Sequence, residues 1–304
     1  MTPVPSTVRL TEVGMRDGFQ MESRILSVEA KEHIGRGLIA AGLRHIEVTS
    51  FVSPAAVPQL ADAPQLVRRL RGLGAELSAL VPNVNGARRA VSAGIDRITV
   101  FASASDTHNQ KNVRRSVTES LSRLKEIGEI ARDGGVPLSG AVATAFGCPF
   151  EGDVAPAAVL RVIEGYAAMG ADAVSLGDTT GMATPPIVEA VVGAIRAHFP
   201  DLPIALHFHN TRGIGLVNVT TGLALGIDRF ESSIGGLGGC PFAAGATGNI
   251  ATEDLVYLLN ELGVRTGIDL PALIETAKEV EAAFGRTLPG QVMKAGPRLE
   301  RASA

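Results

Sequence analysis

The feature that most constrains this chain is a regular alternation. Short β-branched and apolar runs begin at Val8, His45, Glu76, Arg97, Leu138, Ala173, Ile204 and Arg229, and longer alanine- and leucine-rich stretches with helical spacing separate them. Parallel strands need crossovers of a dozen residues or more, usually a helix, so strict alternation predicts a parallel sheet. Eight such units over roughly 250 residues predict an α/β fold of the TIM type, a (β/α)8 barrel, with an open doubly wound sheet as the alternative. "AAGL", "SAGI", "AMGA" and "ALGI" recur just before strands. They predict helix C-caps in which glycine takes the left-handed conformation.

No linker or compositional shift divides the chain, which predicts a single domain with the barrel over 8–250. Residues 251–304 read as extra helices and a tail packing on the barrel. "EDLVYLLNELG" and "LPALIETAKEVEAAFG" are both amphipathic there, and the tail after Pro289 is expected to be loosely ordered.

Composition excludes several classes of function. With 304 residues, of which 45% are hydrophobic, the chain can bury a substantial core. A net charge of -3 with scattered basic residues gives no footprint for nucleic acid or membrane lipid. Only two cysteines occur, Cys148 and Cys240, so a reducing compartment is expected. No apolar run reaches the roughly 20 residues of a membrane helix, and the N-terminal segment has no leader-like pattern. Together these make the cytoplasm the expected location.

In a (β/α)8 barrel the site lies at the C-terminal ends of the strands. Polar residues gather there. Arg16, Asp17 and Gln20 follow the first strand, Glu47 and Ser50 lie on the second, Asp178 and Thr179 close the sixth, and His207, His209 and Asn210 close the seventh. The glycine-rich "GGLGGCPFAAGATGN" after the eighth carries Cys240 and Asn249.

His207 and His209 are two apart on a strand, so their imidazoles share a face while Phe208 points away. One buried histidine is usually a core residue satisfied by a hydrogen bond; two on one face at a strand's end point to a metal. Joined by Asp17 and a side-chain carbonyl such as Asn249, they make a mixed nitrogen and oxygen set. Such a set suits Mg²⁺ or Mn²⁺ better than a closed structural zinc site. A two-histidine, one-carboxylate iron oxygenase shares the ligand count.

Glu47 is charged inside an apolar strand and needs a partner, for which Arg16 is the natural choice. Asp178 reads either as a cap of the following helix or as a site residue. Cys148 reads as packing, whereas the glycine-rich setting of Cys240 suggests a mobile flap that exposes a thiol. Lys111, Arg114 and Arg115 read as a solvated helix start or as contacts to an anionic cofactor tail.

The segments "EVGMRDGFQ", "IEVTSFVSP", "FGCPFEG", "SLGDTTG", "LHFHNT" and "GGLGGCPFAAGATGNIATEDLVY" carry a resemblance. Over about residues 8 to 260 the chain resembles the 3-hydroxy-3-methylglutaryl-CoA lyase family, within the metal-dependent lyase and acyltransferase barrels. The resemblance implies Asp17, His207, His209 and Asn249 as ligands of a divalent cation. It implies Arg16 as the residue that steadies an enolate, Cys240 as a proton donor on a flap, and Glu47 and Asp178 as acidic residues of the chemistry. Gln20, Ser50 and Thr179 would border an acyl-CoA substrate, CoA being part of that substrate, and Lys111, by its position after the fourth strand, is a candidate contact to it.

The implied reaction is retro-Claisen cleavage to acetyl-CoA and acetoacetate, with His207, Asp17 or Asp178 as the base. Alternatives are cleavage of a related thioester such as citramalyl-CoA, and condensation of acetyl-CoA with a 2-oxo acid. A homodimer is expected. The chain departs from the typical pattern at Met21, Ala141, Asn210 and Arg212.

Overall fold

The structure, a computed structural model, describes residues 4–239 and 248–298. Strands β1 (Arg9–Glu12), β2 (His45–Ser50), β3 (Glu76–Leu80), β4 (Arg97–Ser103), β5 (Leu138–Ala143), β6 (Ala173–Gly177), β7 (Ile204–His207) and β8 (Arg229–Ser232) pair in sequence order. All pairings are parallel, and β1 pairs with β8 to close the expected (β/α)8 barrel.

Helices occupy the crossovers, and their ends show why they stop and start where they do. Those needed below are α1 (Val28–Ala40), α2 (Ala63–Leu70), α3 (Val84–Ala93), α4 (Asp106–Val113), α5 (Val117–Asp133), α6 (Pro156–Ala168), α7 (Pro185–His198) and α8 (Gly215–Ala224). The Ser27 hydroxyl accepts from Ala30 N at the start of α1, and Ser116 with Glu119 forms a capping box on α5. Gly42, Gly94, Gly170 and Gly226, the glycines of the four recurring tetrapeptides, all have positive φ. Each turns the chain out of a helix toward the next strand, a conformation that a Cβ would strain.

Alternation along the strands separates two environments. Ile46, Val48, Leu77, Ile98, Val100, Val142, Leu176, Leu206 and Phe230 are fully buried in the apolar core. Each such burial contributes roughly 1.5–3 kcal/mol. The intervening residues face the barrel axis, and they are small or polar: Thr11, Ser78, Thr99, Ser139, Ala141, Ser175, Ala205 and Glu231 line cavities there. At the N-terminal end Glu76 accepts from Arg9 at 3.0 Å and from Arg97 at 3.2 Å, which closes that mouth with charge pairs.

Beyond β8 lie α9 (Thr252–Glu261), α10 (Leu270–Phe284) and α11 (Val292–Ala295). The last corrects the expectation of loose order after Pro289 as far as residue 298; residues 299–304 lie outside the described residues. Val292 and Met293 are buried, and the Asp254 carboxylate accepts from Gln291 N and Val292 N, so a short helix is packed and capped. Among the described residues no helix is long and apolar enough to cross a membrane.

Candidate active site

β1 ends earlier than its apolar run suggested, at Glu12, and a π-type turn over Gly14–Gly18 follows. Val13 O accepts from both Arg16 N (3.0 Å) and Asp17 N (2.7 Å), which winds the two charged residues to the barrel mouth. The turn is fixed by the buried Glu12 carboxyl. Its Oε1 accepts from Gly14 N at 2.7 Å and Ile234 N at 2.8 Å, and its Oε2 accepts from the Thr252 hydroxyl at 2.5 Å. Glycine is required at 14, because a Cβ there would stand 2.6 Å from Glu12 Oε1 and 2.8 Å from Ser233 Oγ. Burial pushes the Glu12 carboxyl up to about 7 in spite of these three donors.

Arg16 lies between two carboxylates. Its Nη1 donates to Asp17 Oδ1 at 2.6 Å, while Nε and Nη2 reach Glu47 Oε2 at 2.7 and 2.6 Å. Burial opposes its charge, but Glu47 and then Asp17 outweigh it and hold the guanidinium above its ordinary value. Burial would likewise raise Asp17, yet Arg16 and the two imidazoles pull it down to about 2. Asp17 is therefore a fixed anion. Gln20 Nε2 donates to its Oδ1 at 3.0 Å and Asn249 Nδ2 to its Oδ2 at 2.8 Å.

His207 ends β7, and His209 lies beyond the regular strand that was expected to carry both. It is held by an isolated antiparallel bridge to Asn249, with Asn210 N donating to Gly248 O and Ile250 N to Phe208 O. The imidazoles still share a side, with ring centroids 5.3 Å apart. His207 Nδ1 lies 2.9 Å from Glu231 Oε2. Burial lowers His207, but the Glu231 carboxylate outweighs it and the net shift is upward. Burial, then the neighbouring His207, takes His209 down to about 4, so its ring is neutral near pH 7.

Among the described residues Asp17, His207 and His209 offer ligand atoms that all lie within 4.8 Å of one another. The buried Nδ1 of His209 and Oδ1 of Asn249 have no hydrogen-bond partner there. A carboxylate, two imidazoles and an orphaned amide oxygen fit a divalent cation. A cavity of about 370 Å³ opens beside them, lined by Arg16, Asp17, Gln20, Thr179, His207, His209 and Glu231 and also by Met21, Val57, Leu80, Phe101, His108, Asn112 and Ala141.

The remaining residues singled out in the sequence take different places. Thr179 reaches the cavity while its Oγ1 accepts from Thr144 N at 2.8 Å. Asp178 Oδ1 accepts from Met182 N and Ala183 N, the cap reading, and its buried Oδ2 has no partner among the described residues. Burial pushes Asp178 up to about 6. Ser50 donates to Leu80 O at 3.0 Å and is not among the cavity lining. Lys111 sits over the Phe150 ring, 4.9 Å from its centroid, also outside the lining. Asn210 Oδ1 accepts from Gly215 N at the start of α8, and Arg212 donates to Thr180 O and Gly181 O. Cys148 is buried; Cys240 lies outside the described residues.

Sequence reasoning passed over Glu231 and Glu12. Both are carboxylates inside apolar strands, the signal that drew attention to Glu47.

A model of the HMGL-like family matches residues 7–280. The chain belongs to this family. The HMGL-like chain is 43% identical over 290 residues to hydroxymethylglutaryl-CoA lyase YngG of Bacillus subtilis, covering 95% of this chain and 97% of that protein. A crystal structure of the Bacillus subtilis HMG-CoA lyase superposes with a TM-score of 0.93, covering 97% of this chain and 99% of that one. The HMG-CoA lyase of Acinetobacter baumannii in complex with coenzyme A and 3-methylmalate, 40% identical, superposes with a TM-score of 0.93 over 100% of both chains.

Proposed function

We propose that the protein is a divalent-metal-dependent lyase that cleaves 3-hydroxy-3-methylglutaryl-CoA to acetyl-CoA and acetoacetate. The observation that carries this reading is the Arg16 guanidinium, locked between Asp17 and Glu47 beside the carboxylate and imidazole cluster at the barrel mouth. Relatives of the HMGL-like family that bear the lyase name over nearly their whole length support it.

In this reading Asp17, His207, His209 and Asn249 hold Mg²⁺ or Mn²⁺, which when bound would acidify the C3 hydroxyl and orient the C3 carbinol. Arg16 presents a permanent positive charge to the thioester oxygen, where negative charge develops as the C2–C3 bond breaks. Glu47 keeps the guanidinium from swinging away, because Nε and Nη2 both donate to it. The C3 hydroxyl gives its proton to a base, for which His207, Asp17 and Asp178 are the candidates, the electrons of the broken C2–C3 bond become the enolate of acetyl-CoA, and C3 becomes the ketone of acetoacetate. Cys240 protonates C2, a role that rests on the family resemblance.

Purified enzyme supplied with Mg²⁺ or Mn²⁺ and 3-hydroxy-3-methylglutaryl-CoA should form acetoacetate and acetyl-CoA in equal amounts. No acetoacetate from that thioester, with pyruvate and acetyl-CoA from citramalyl-CoA instead, would overturn the substrate assignment.

A further inference from the structure

Gln20 and Met21 reach the site cavity from a single 3-10 turn, Phe19–Met21, which directly follows the turn that bears Arg16 and Asp17. So short a turn has no ladder of hydrogen bonds to hold its direction, and tertiary contacts must set it. Two contacts do so, and they flank Gln20 and Met21. On one side the Phe19 ring meets Phe284 edge to face, with centroids 5.1 Å apart. On the other, the buried Glu22 carboxylate accepts from Arg286, from Nε at 2.9 Å and from Nη2 at 2.5 Å. Phe284 ends α10, and Arg286 stands just past Gly285, whose φ of 67° turns the chain there. One helix end thus grips both sides of the turn.

Surface ion pairs generally contribute little, because both partners can return to water. This pair differs, since its carboxylate is buried and is met by a fork that fixes direction as well as distance. Gln59 Nε2 also donates to Glu22 O at 2.8 Å, a single bond that can pivot where the fork cannot. Inside the turn, Gln20 Nε2 donates to Asp17 Oδ1, which Arg16 Nη1 also reaches. Movement of the turn would therefore be felt at the Asp17 carboxylate.

We propose that Arg286 is a positioning residue of this site: its fork to Glu22, together with the Phe19–Phe284 contact, holds Gln20 against Asp17 and so sets the carboxylate for cation binding and for the chemistry. Arg286 itself lies outside the cavity lining. The kinetic consequence rests on the lyase reading above; the effect on the cation does not.

The test is a double-mutant cycle between Arg286→Ala and Gln20→Ala. It is read by steady-state kinetics on 3-hydroxy-3-methylglutaryl-CoA and by titration of free Mn²⁺ with electron paramagnetic resonance. Arg286→Ala should lower kcat about 10- to 100-fold while moving KM less than about threefold. It should raise the Mn²⁺ dissociation constant about tenfold. In the Gln20→Ala background the same change should cost no more than about twofold on either readout, because the link it acts through is gone. Arg286→Lys, which cannot form the fork, should fall between, and with Glu22→Gln it carries the test if the alanine variant fails to fold. A loss of bound Mn²⁺ per chain, with dissociation constant and kcat per bound cation unchanged, would show a merely structural role and overturn the proposal. Losses that multiply in full in the Gln20→Ala background overturn it too. If the unaltered enzyme forms no acetoacetate, the lyase reading falls and Mn²⁺ affinity alone decides: a dissociation constant unmoved by Arg286→Ala then overturns the proposal.

Discussion

His207 Nδ1 and Glu231 Oε2 are 2.9 Å apart, a contact made possible because β7 and β8 pair with His207 opposite Glu231. The carboxylate fixes one ring nitrogen as the donor and leaves Nε2 as the basic one. Glu231→Gln keeps the size but not the charge. It should weaken Mn²⁺ binding about 10–100-fold, a loss that a titration of free Mn²⁺ by electron paramagnetic resonance would read. Unchanged affinity would show that Glu231 does not tune the imidazole.

Arg16 meets Glu47 through two nitrogens and Asp17 through a third. A lysine cannot reproduce that fork. Arg16→Lys should reduce kcat about 100-fold or more while moving KM far less, since the charge matters most where the enolate forms. Steady-state kinetics on 3-hydroxy-3-methylglutaryl-CoA decides, and a loss confined to KM would remove Arg16 from the chemical step.

Glu12 accepts from Gly14 N, Ile234 N and the Thr252 hydroxyl. Glu12→Ala would leave two buried N–H groups without acceptors, at about 1–3 kcal/mol each. Urea unfolding should show a drop of roughly 4 kcal/mol. Glu12→Gln retains an acceptor and should recover at least half of it.

Glu253 is buried, its Oε2 accepts from Gly235 N at 3.1 Å, and burial pushes its carboxyl up to about 8. The folded state thus holds a proton that the unfolded chain releases near the ordinary glutamate value. The stability this contributes is complete below the unfolded pKa of about 4.5, declines as pH rises, and is gone above about 8. Glu253→Gln should flatten that decline in unfolding curves taken from pH 6 to 9. A slope identical to that of the unaltered protein would refute the assignment.

Asp17 is an anion held at about 2 and central to the ligand cluster. Mn²⁺ at 100 times its dissociation constant should stabilise the fold by about 2.7 kcal/mol. Asp17→Asn should abolish the increment, and a variant that kept it would place the cation elsewhere.

The barrel was legible because its information is local. A period of two changing to a helical period, eight times over, needs no knowledge of which strands meet. The four positive-φ glycines before strands were legible for the same reason. The ligand cluster could be read in part, since His207 and His209 are two residues apart and Asp17 follows a strand. Glu231 escaped because its role depends on the register of β7 with β8, which no stretch of sequence states. Asp178 stayed ambiguous since capping and reacting both call for a carboxylate at a strand end. The early end of β1 was hidden by Val13 and Met15, which are apolar and buried yet belong to the turn.

Asp17 and Asn249, whose side chains meet at 2.8 Å, are 232 residues apart along the chain. Their meeting depends on the β1 to β8 seam, the last pairing the chain can complete as it emerges. A refolding or nascent chain that has made seven strands has the histidines but not the whole cluster. Cation uptake during refolding should therefore lag behind secondary structure and rise with seam formation, which makes bound Mn²⁺ a clock for ring closure.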